Sequence, residues 1–218
     1  MPTTTVPTPT RAPSAGSTVA ALARHALAGL RVLLALTVVL GVAYPLAVTG
    51  VAAVALPWQA RGSLVTADGA RTTDPDEAVG SLLVGQAVDG DGWFRPRPSA
   101  AGDGYDTLAS AGSNLGPESP DLLAAVEQRR AEVAAREDVD PALVPPDALT
   151  GSASGLDPDV SPAYAHLQVA RVARENGLEP SDVAALVDRT TVGRDLGVLG
   201  EPRVNVLRLN LALRTMTS

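Results

Sequence analysis

Residues 32–56 read VLLALTVVLGVAYPLAVTGVAAVAL, 25 residues without a charge. At ~1.5 Å per helical residue the run reaches about 37 Å, more than the ~30 Å of a bilayer's hydrocarbon core. It is therefore read as one transmembrane helix. The surplus length permits tilt, or a bend at Pro45, whose ring removes one backbone hydrogen bond. Ala53-Val54-Ala55 resembles a signal-peptidase site, but signal h-regions usually span ~7–15 residues, so the reading is an uncleaved anchor. Ala43, Ala47 and Gly50 put small residues on one face, as a helix packing against another in lipid would.

Upstream, residues 1–31 hold no acid and open on a Pro/Thr/Ala/Ser-rich stretch, which predicts a disordered tail. Arg11, Arg24 and Arg31 precede the span; Arg61 and Arg71 follow it among Asp68, Asp74, Asp76 and Glu77. Basic residues favour the cytoplasmic flank, so the expectation is a single-pass protein of the cell membrane with its N-terminus cytoplasmic and residues 57–218 outside.

All 24 acids and 14 of the 17 basic residues lie after the span, a net charge of −10 on that part. Such charge keeps an exported domain soluble, and its summed field would also concentrate cations nearby. Every basic residue is arginine. The lack of lysine excludes Walker A loops, Schiff-base catalysis and Ser-x-x-Lys nucleophiles. The lack of cysteine excludes disulfides, zinc ribbons and thiol chemistry.

Local signals predict a mixed α/β domain over residues 57–218. Residues 81–86 (SLLVGQ) suggest a strand, and residues 89–116 a long Gly/Pro/Ser/Asp-rich loop carrying Trp93 and Phe94. Ser119-Pro120 opens a helix to about Glu137, with Leu122, Val126 and Val133 on one face. Ser161-Pro162 opens a second helix, closed at Asn176-Gly177-Leu178, with Arg171 and Arg174 near its negative end. A shorter helix after Pro180 carries Val183, Leu186 and Val187, and residues 204–207 (VNVL) read as a final strand.

Catalytic and metal motifs fail on inspection. Thr190-Thr191-Val192-Gly193 resembles a potassium-filter sequence but is followed by the cation Arg194. Asp89-x-Asp91 begins like a calcium loop, yet Ala100 stands where the bidentate Glu belongs. A triad of Ser152 or Ser154, His166 and Asp157 has no nucleophile elbow. The expectation is no catalytic residue, no metal site, and no nucleic-acid partner for an acidic domain with scattered arginines. The residues by themselves support an anchored accessory domain, with a free-standing membrane-anchored enzyme or binding domain as the alternative.

Several stretches, in order, resemble the KdpC family, the small subunits of bacterial potassium-importing Kdp ATPases. They are Tyr44-Pro45-Leu46, Pro57-Trp58-Gln59-Ala60-x-Gly62-Ser63-Leu64, Gly80-Ser81-Leu82-Leu83-Val84-Gly85-Gln86 and Phe94-x-x-Arg97-Pro98-Ser99-Ala100. Ser113-Asn114-Leu115, the run from Ser152 to Pro158, Gln168 with Arg171-Val172-Ala173, and the run from Gly200 to Leu213 complete the set. Pro96 departs from the family's usual glycine and restricts the backbone before Arg97. The resemblance implies a complex with a channel-like KdpA subunit, a P-type ATPase KdpB and a small KdpF. It implies an accessory, non-catalytic role, described for the family as a chaperone that raises the ATP affinity of KdpB, and it makes Gln168 a candidate nucleotide contact. A glutamine there also suits a polar surface or capping position. Extracytoplasmic placement of Gln168 speaks against contact with cytoplasmic ATP and for stabilisation of the complex near the potassium entrance.

Overall fold

The structure, a computed structural model, describes residues 15–217. The chain divides after Leu56 into two compact units. In the first, α1 (Ala15–Val38) runs through one π-helical turn (Val39–Ala43) into α2 (Tyr44–Ala55). The sequence predicts a tail through residue 31; residues 1–14 lie outside the described residues, and the helix instead takes in residues 15–31. Alanine and leucine dominate that segment, and both are strong helix formers. Val19–Ala55 is a continuous 37-residue stretch, long and apolar enough to cross a membrane.

Pro45 produces a π turn. Tyr44 N–H reaches back five residues to Val39 O, and the proline follows as an early residue of α2. Widening the turn by one residue accommodates a proline that lacks an N–H and would crowd the carbonyl one turn earlier.

The second unit, Pro57–Ser218, packs five longer helices and a three-stranded antiparallel sheet around one core and carries a second, two-stranded antiparallel sheet. A one-turn helix α3 (Pro57–Ala60) leads into β1 (Leu64–Val65), which pairs with β2 (Gly80–Ser81). The strand expected over residues 81–86 stops after Ser81. Ser81 Oγ donates to Gly62 O at 2.6 Å and accepts from Leu83 N–H at 3.1 Å, which turns the chain out of the ladder.

The anticipated helices are present. In α4 (Pro120–Glu137) the Ser119 hydroxyl accepts from Leu122 N–H, and the helix buries Val133, Ala134 and Glu137. Ser161 caps α5 (Pro162–Leu167) by accepting from Tyr164 N–H at 3.0 Å. A tight turn at Gln168, whose N–H bonds Ala165 O, separates α5 from α6 (Val169–Asn176), so the single expected helix is two. Gly177 closes α6 at φ 65°, and Leu178 N–H returns to Ala173 O at 2.9 Å, a Schellman-type end. The buried face of α7 (Pro180–Thr190) is Val183, Leu186 and Val187.

The second sheet has the order β3 (Asp159–Val160), β5 (Arg203–Asn205), β4 (Thr191–Val192), all antiparallel. The last expected strand ends at Asn205, and Val206 and Leu207 begin a helix, α8 (Val206–Thr217), that the sequence reading does not contain. Asn205 Oδ1 accepts from Arg208 N–H at 3.0 Å and caps it. Val206, Leu209, Asn210 and Leu213, at helical spacing, face inward.

Candidate functional site

The long segment after residue 88 contains no helix or strand until Pro120, so its buried polar groups need partners from elsewhere. Residues 91–95 find them in side chains. Asn210, on α8, accepts from Phe94 N–H and donates to Phe94 O, both at 2.9 Å. This pair of bonds stands where a neighbouring strand would be, and it holds the Phe94 ring fully buried in the core. From α6, Asn176 Nδ2 donates to Gly92 O at 2.7 Å.

Gln168 lies at the junction of α5 and α6 with no exposed surface. Its Oε1 accepts from Arg95 N–H at 2.7 Å and from Arg171 Nη2 at 2.9 Å. Its Nε2 donates to Arg95 O at 3.2 Å and to Tyr164 O at 3.3 Å. A carboxamide has two acceptor and two donor positions, and all four are used. The bond to Tyr164 O does help to cap α5, but the expected surface position is wrong: the side chain is buried because its partners are the loop's own backbone groups.

Arg171 follows one turn later and is 2% exposed. Its Nε donates to Glu137 Oε2 at 2.9 Å, and its Nη1 donates to Asp91 O and to Trp93 O, the latter at 3.0 Å. Glu137, also buried, accepts from Arg136 Nε at 2.9 Å through its other oxygen. Arg171, expected near the negative end of one long helix, falls instead in the first turn of α6 and is a buried centre tying α4, α6 and the loop together, while Arg174 does lie in the last turn. Such a group is stable only when every polar atom is engaged, because an unpaired charge in the interior costs several kcal/mol.

Arg97 carries the pinning onward despite Pro96. Its Nη1 meets Asp157 Oδ2 at 2.8 Å, and its Nη2 donates to Thr150 O at 3.2 Å. Ser99 Oγ donates to Gly155 O at 2.7 Å, and Tyr105 Oη donates to Arg97 O. Burial pushes the Tyr105 phenol up to about 12, with Tyr164 adding to it, so Tyr105 remains a donor.

Two clefts flank the pinned segment. One, of about 300 Å³, has Val84, Val88, Trp93, Leu207 and Leu211 in its walls and is mainly apolar. The other, of about 360 Å³, has Arg95, Arg97, Arg129, Arg136 and Glu132 in its walls beside Val88, Pro96 and Val133. Each guanidinium group in it has a partner, Arg95 with Asp91, Arg97 with Asp157, Arg129 with Leu149 O, and Arg136 with Glu137, but the buried Nε atoms of Arg95 and Arg97 have none among the described residues.

The residues of the dismissed motifs part company. His166 Nε2 lies 2.9 Å from Asp188 Oδ1, the Ser152 and Ser154 hydroxyls face each other at 3.3 Å, and Asp157 holds Arg97. Asp91 pairs with Arg95, and Thr190 to Val192 end α7 and form β4. Among the described residues no group of three or more His, Cys, Asp or Glu could hold a metal ion.

Sequence reasoning singled out Gln168 and Arg171 but missed Glu137, Asn176 and Asn210 as partners. A usable signal existed. Gln168, Arg171 and Val172 share one helical face, as do Val133 and Glu137, so polar residues interrupt apolar stripes where a core is expected.

The family model described as KdpC, K+-transporting ATPase, c chain, matches residues 26–215. The chain is 58% identical over 194 residues to the potassium-transporting ATPase KdpC subunit of Kineococcus radiotolerans, covering 89% of this chain and 95% of that protein. It is 47% identical over 181 residues to the subunit of the same name from Beijerinckia indica, covering 83% and 88%. Against that of Mycobacterium tuberculosis it is 48% identical over 192 residues, covering 87% and 97%. The chain belongs to the KdpC family, the c chains of K+-transporting ATPases.

Proposed function

We propose that this chain is a non-catalytic accessory subunit that holds together an ATP-driven potassium importer, using one membrane helix and a rigid extracytoplasmic domain. The observation that carries the proposal is the pairing, by side chains, of the carbonyls of residues 91–95 and of the Phe94 and Arg95 N–H groups. Arg171, Asn176, Asn210 and Gln168 are all spent on fixing a loop rather than aimed at a substrate. A segment fixed in this way presents a preformed surface to a partner, which lowers the ordering cost of association. The partners are a KdpA-like channel subunit, a KdpB-like P-type ATPase subunit and a KdpF-like small subunit, within the cell membrane. The arginines before the span support a cytoplasmic N-terminus and an external domain.

On this reading Gln168 is a strut. Contact between its carboxamide and ATP would require at least one of four hydrogen bonds to be given up. Any effect of the subunit on the ATP affinity of the complex then travels through assembly rather than through Gln168. The test is isolation of the tagged chain from native membranes with its associated chains identified. Co-isolation with a P-type ATPase and a channel-like subunit is expected. Recovery of the chain from native membranes without either partner would favour a free-standing anchored domain.

A further inference from the structure

Residues 193–202 join β4 to β5 and end in a hairpin with an apolar tip turned to solvent. Asp195 and Leu199 exchange backbone hydrogen bonds in both directions at 2.9 Å. Inside them, Val198 N–H donates to Asp195 O at 3.2 Å, around Leu196 at φ 54° and Gly197 at φ 77°. Two consecutive positive φ values are the mark of a type I′ turn, whose central positions favour Asn, Asp or Gly because a larger side chain crowds the backbone there. The first of them is a leucine that is 89% exposed, with Val198 73% and Leu199 58% exposed. Local conformation disfavours that leucine, and burial within the chain does nothing for it.

The charges around the tip are paired, Arg203 also meeting Asp159 Oδ2 through Nε at 3.4 Å. Arg194 Nη2 lies 2.6 Å from Glu201 Oε2, and Arg203 Nη2 lies 3.4 Å from Asp195 Oδ2. The apolar tip therefore stands inside a rim of paired charges with no positive surplus.

We infer that this hairpin is a docking knob that seats Leu196, with Val198 and Leu199, in an apolar depression on another protein subunit of the transporter. The inference rests on the accessory-subunit reading above. A protein fits better than a lipid surface, because interfacial membrane anchors carry Trp, Tyr or surplus basic residues. Residues 193–202 contain no aromatic residue and no net positive charge. An apolar centre within a rim of satisfied charges is the anatomy of a protein interface, where the rim excludes water from the contact. The cross-strand bonds hold the tip in place beforehand, so little freedom is lost on docking.

The experiment compares the full wild-type chain with Leu196→Asn and Val198→Ser, each produced with the other transporter subunits. Asparagine suits positive φ, so Leu196→Asn keeps the turn while removing the apolar group. Unfolding of the isolated full-length variants should match wild type, while recovery of assembled complex falls at least fivefold. Wild-type recovery of complex by both variants overturns the knob and leaves the accessory reading intact; failure of the wild-type chain to co-purify overturns both. Because the chain has no cysteine, Leu196→Cys can carry an environment-sensitive dye. A blue shift should appear only with the other subunits present. A blue shift in phosphatidylglycerol vesicles holding this chain alone points to lipid and overturns the inference.

Discussion

Replacing Gln168 by alanine removes four hydrogen bonds at one buried point. Arg95 N–H and Arg95 O lose their side-chain partner together, and Arg171 Nη2 loses its acceptor. Each buried polar group left without a partner costs about 1–3 kcal/mol. Arg171 keeps Glu137 and two carbonyls, so its share is small. The sum expected is about 2–4 kcal/mol, a large part of the ~5–15 kcal/mol that holds a domain folded. For a domain of this size that corresponds to a fall in Tm of about 5–15 °C. The assay is unfolding of the full chain in detergent micelles, followed by circular dichroism, beside Gln168→Glu. Glutamate can still accept from Arg95 N–H and Arg171 but cannot donate to Arg95 O or Tyr164 O, so it should be destabilising as well. Unchanged stability in Gln168→Ala, with apparent ATP affinity of the assembled complex shifted tenfold (about 1.4 kcal/mol), would refute the strut and support direct nucleotide contact.

Arg171→Met strands the Glu137 carboxylate with Arg136 alone and frees the carbonyls of Asp91 and Trp93; denaturant unfolding should show a loss of about 3–5 kcal/mol. Gly155→Ala would place a Cβ 2.7 Å from both Ala101 N and Ala111 O at φ +67°, so it should destabilise by about 2–3 kcal/mol, whereas the open, exposed Gly193 should tolerate alanine. Tyr105 contributes a pH dependence. Its folded pKa lies above its ordinary 10.0, so the folded state prefers the neutral phenol, and stability is lost as pH rises from 10.0 through about 12. Stability profiles of wild type and Tyr105→Phe should diverge over that range, and parallel profiles would contradict the burial argument.

Much of this architecture is legible in local sequence. Ser119, Ser161 and Gly177 announce helix ends through contacts within a few residues, and each does what its position predicts. The membrane helix is equally local, since 25 uncharged residues need no tertiary context. Two things escape. Residues 204–207 alternate as a strand does, yet Asn205 stops the strand and caps α8, because burial of Leu209 and Leu213 outweighs the β-propensity of the valines. The partners that pin residues 91–95 escape for a different reason, although Gln168 and Arg171 interrupt an apolar stripe. Their bonds join residues 73 and 116 positions apart, and nothing near Gln168 or Asn210 names a partner.

The side of the membrane on which the domain lies separates a strut that stabilises the complex from a subunit that touches cytoplasmic ATP. The absence of native cysteine permits a direct measurement. Leu108, 96% exposed in the long loop, can be changed to cysteine without removing a buried contact. Intact cells are then treated with a membrane-impermeant maleimide. The domain described here should be labelled in intact cells, to the same extent as after lysis. Labelling only after lysis would put residues 57–218 in the cytoplasm and contradict an extracytoplasmic accessory subunit.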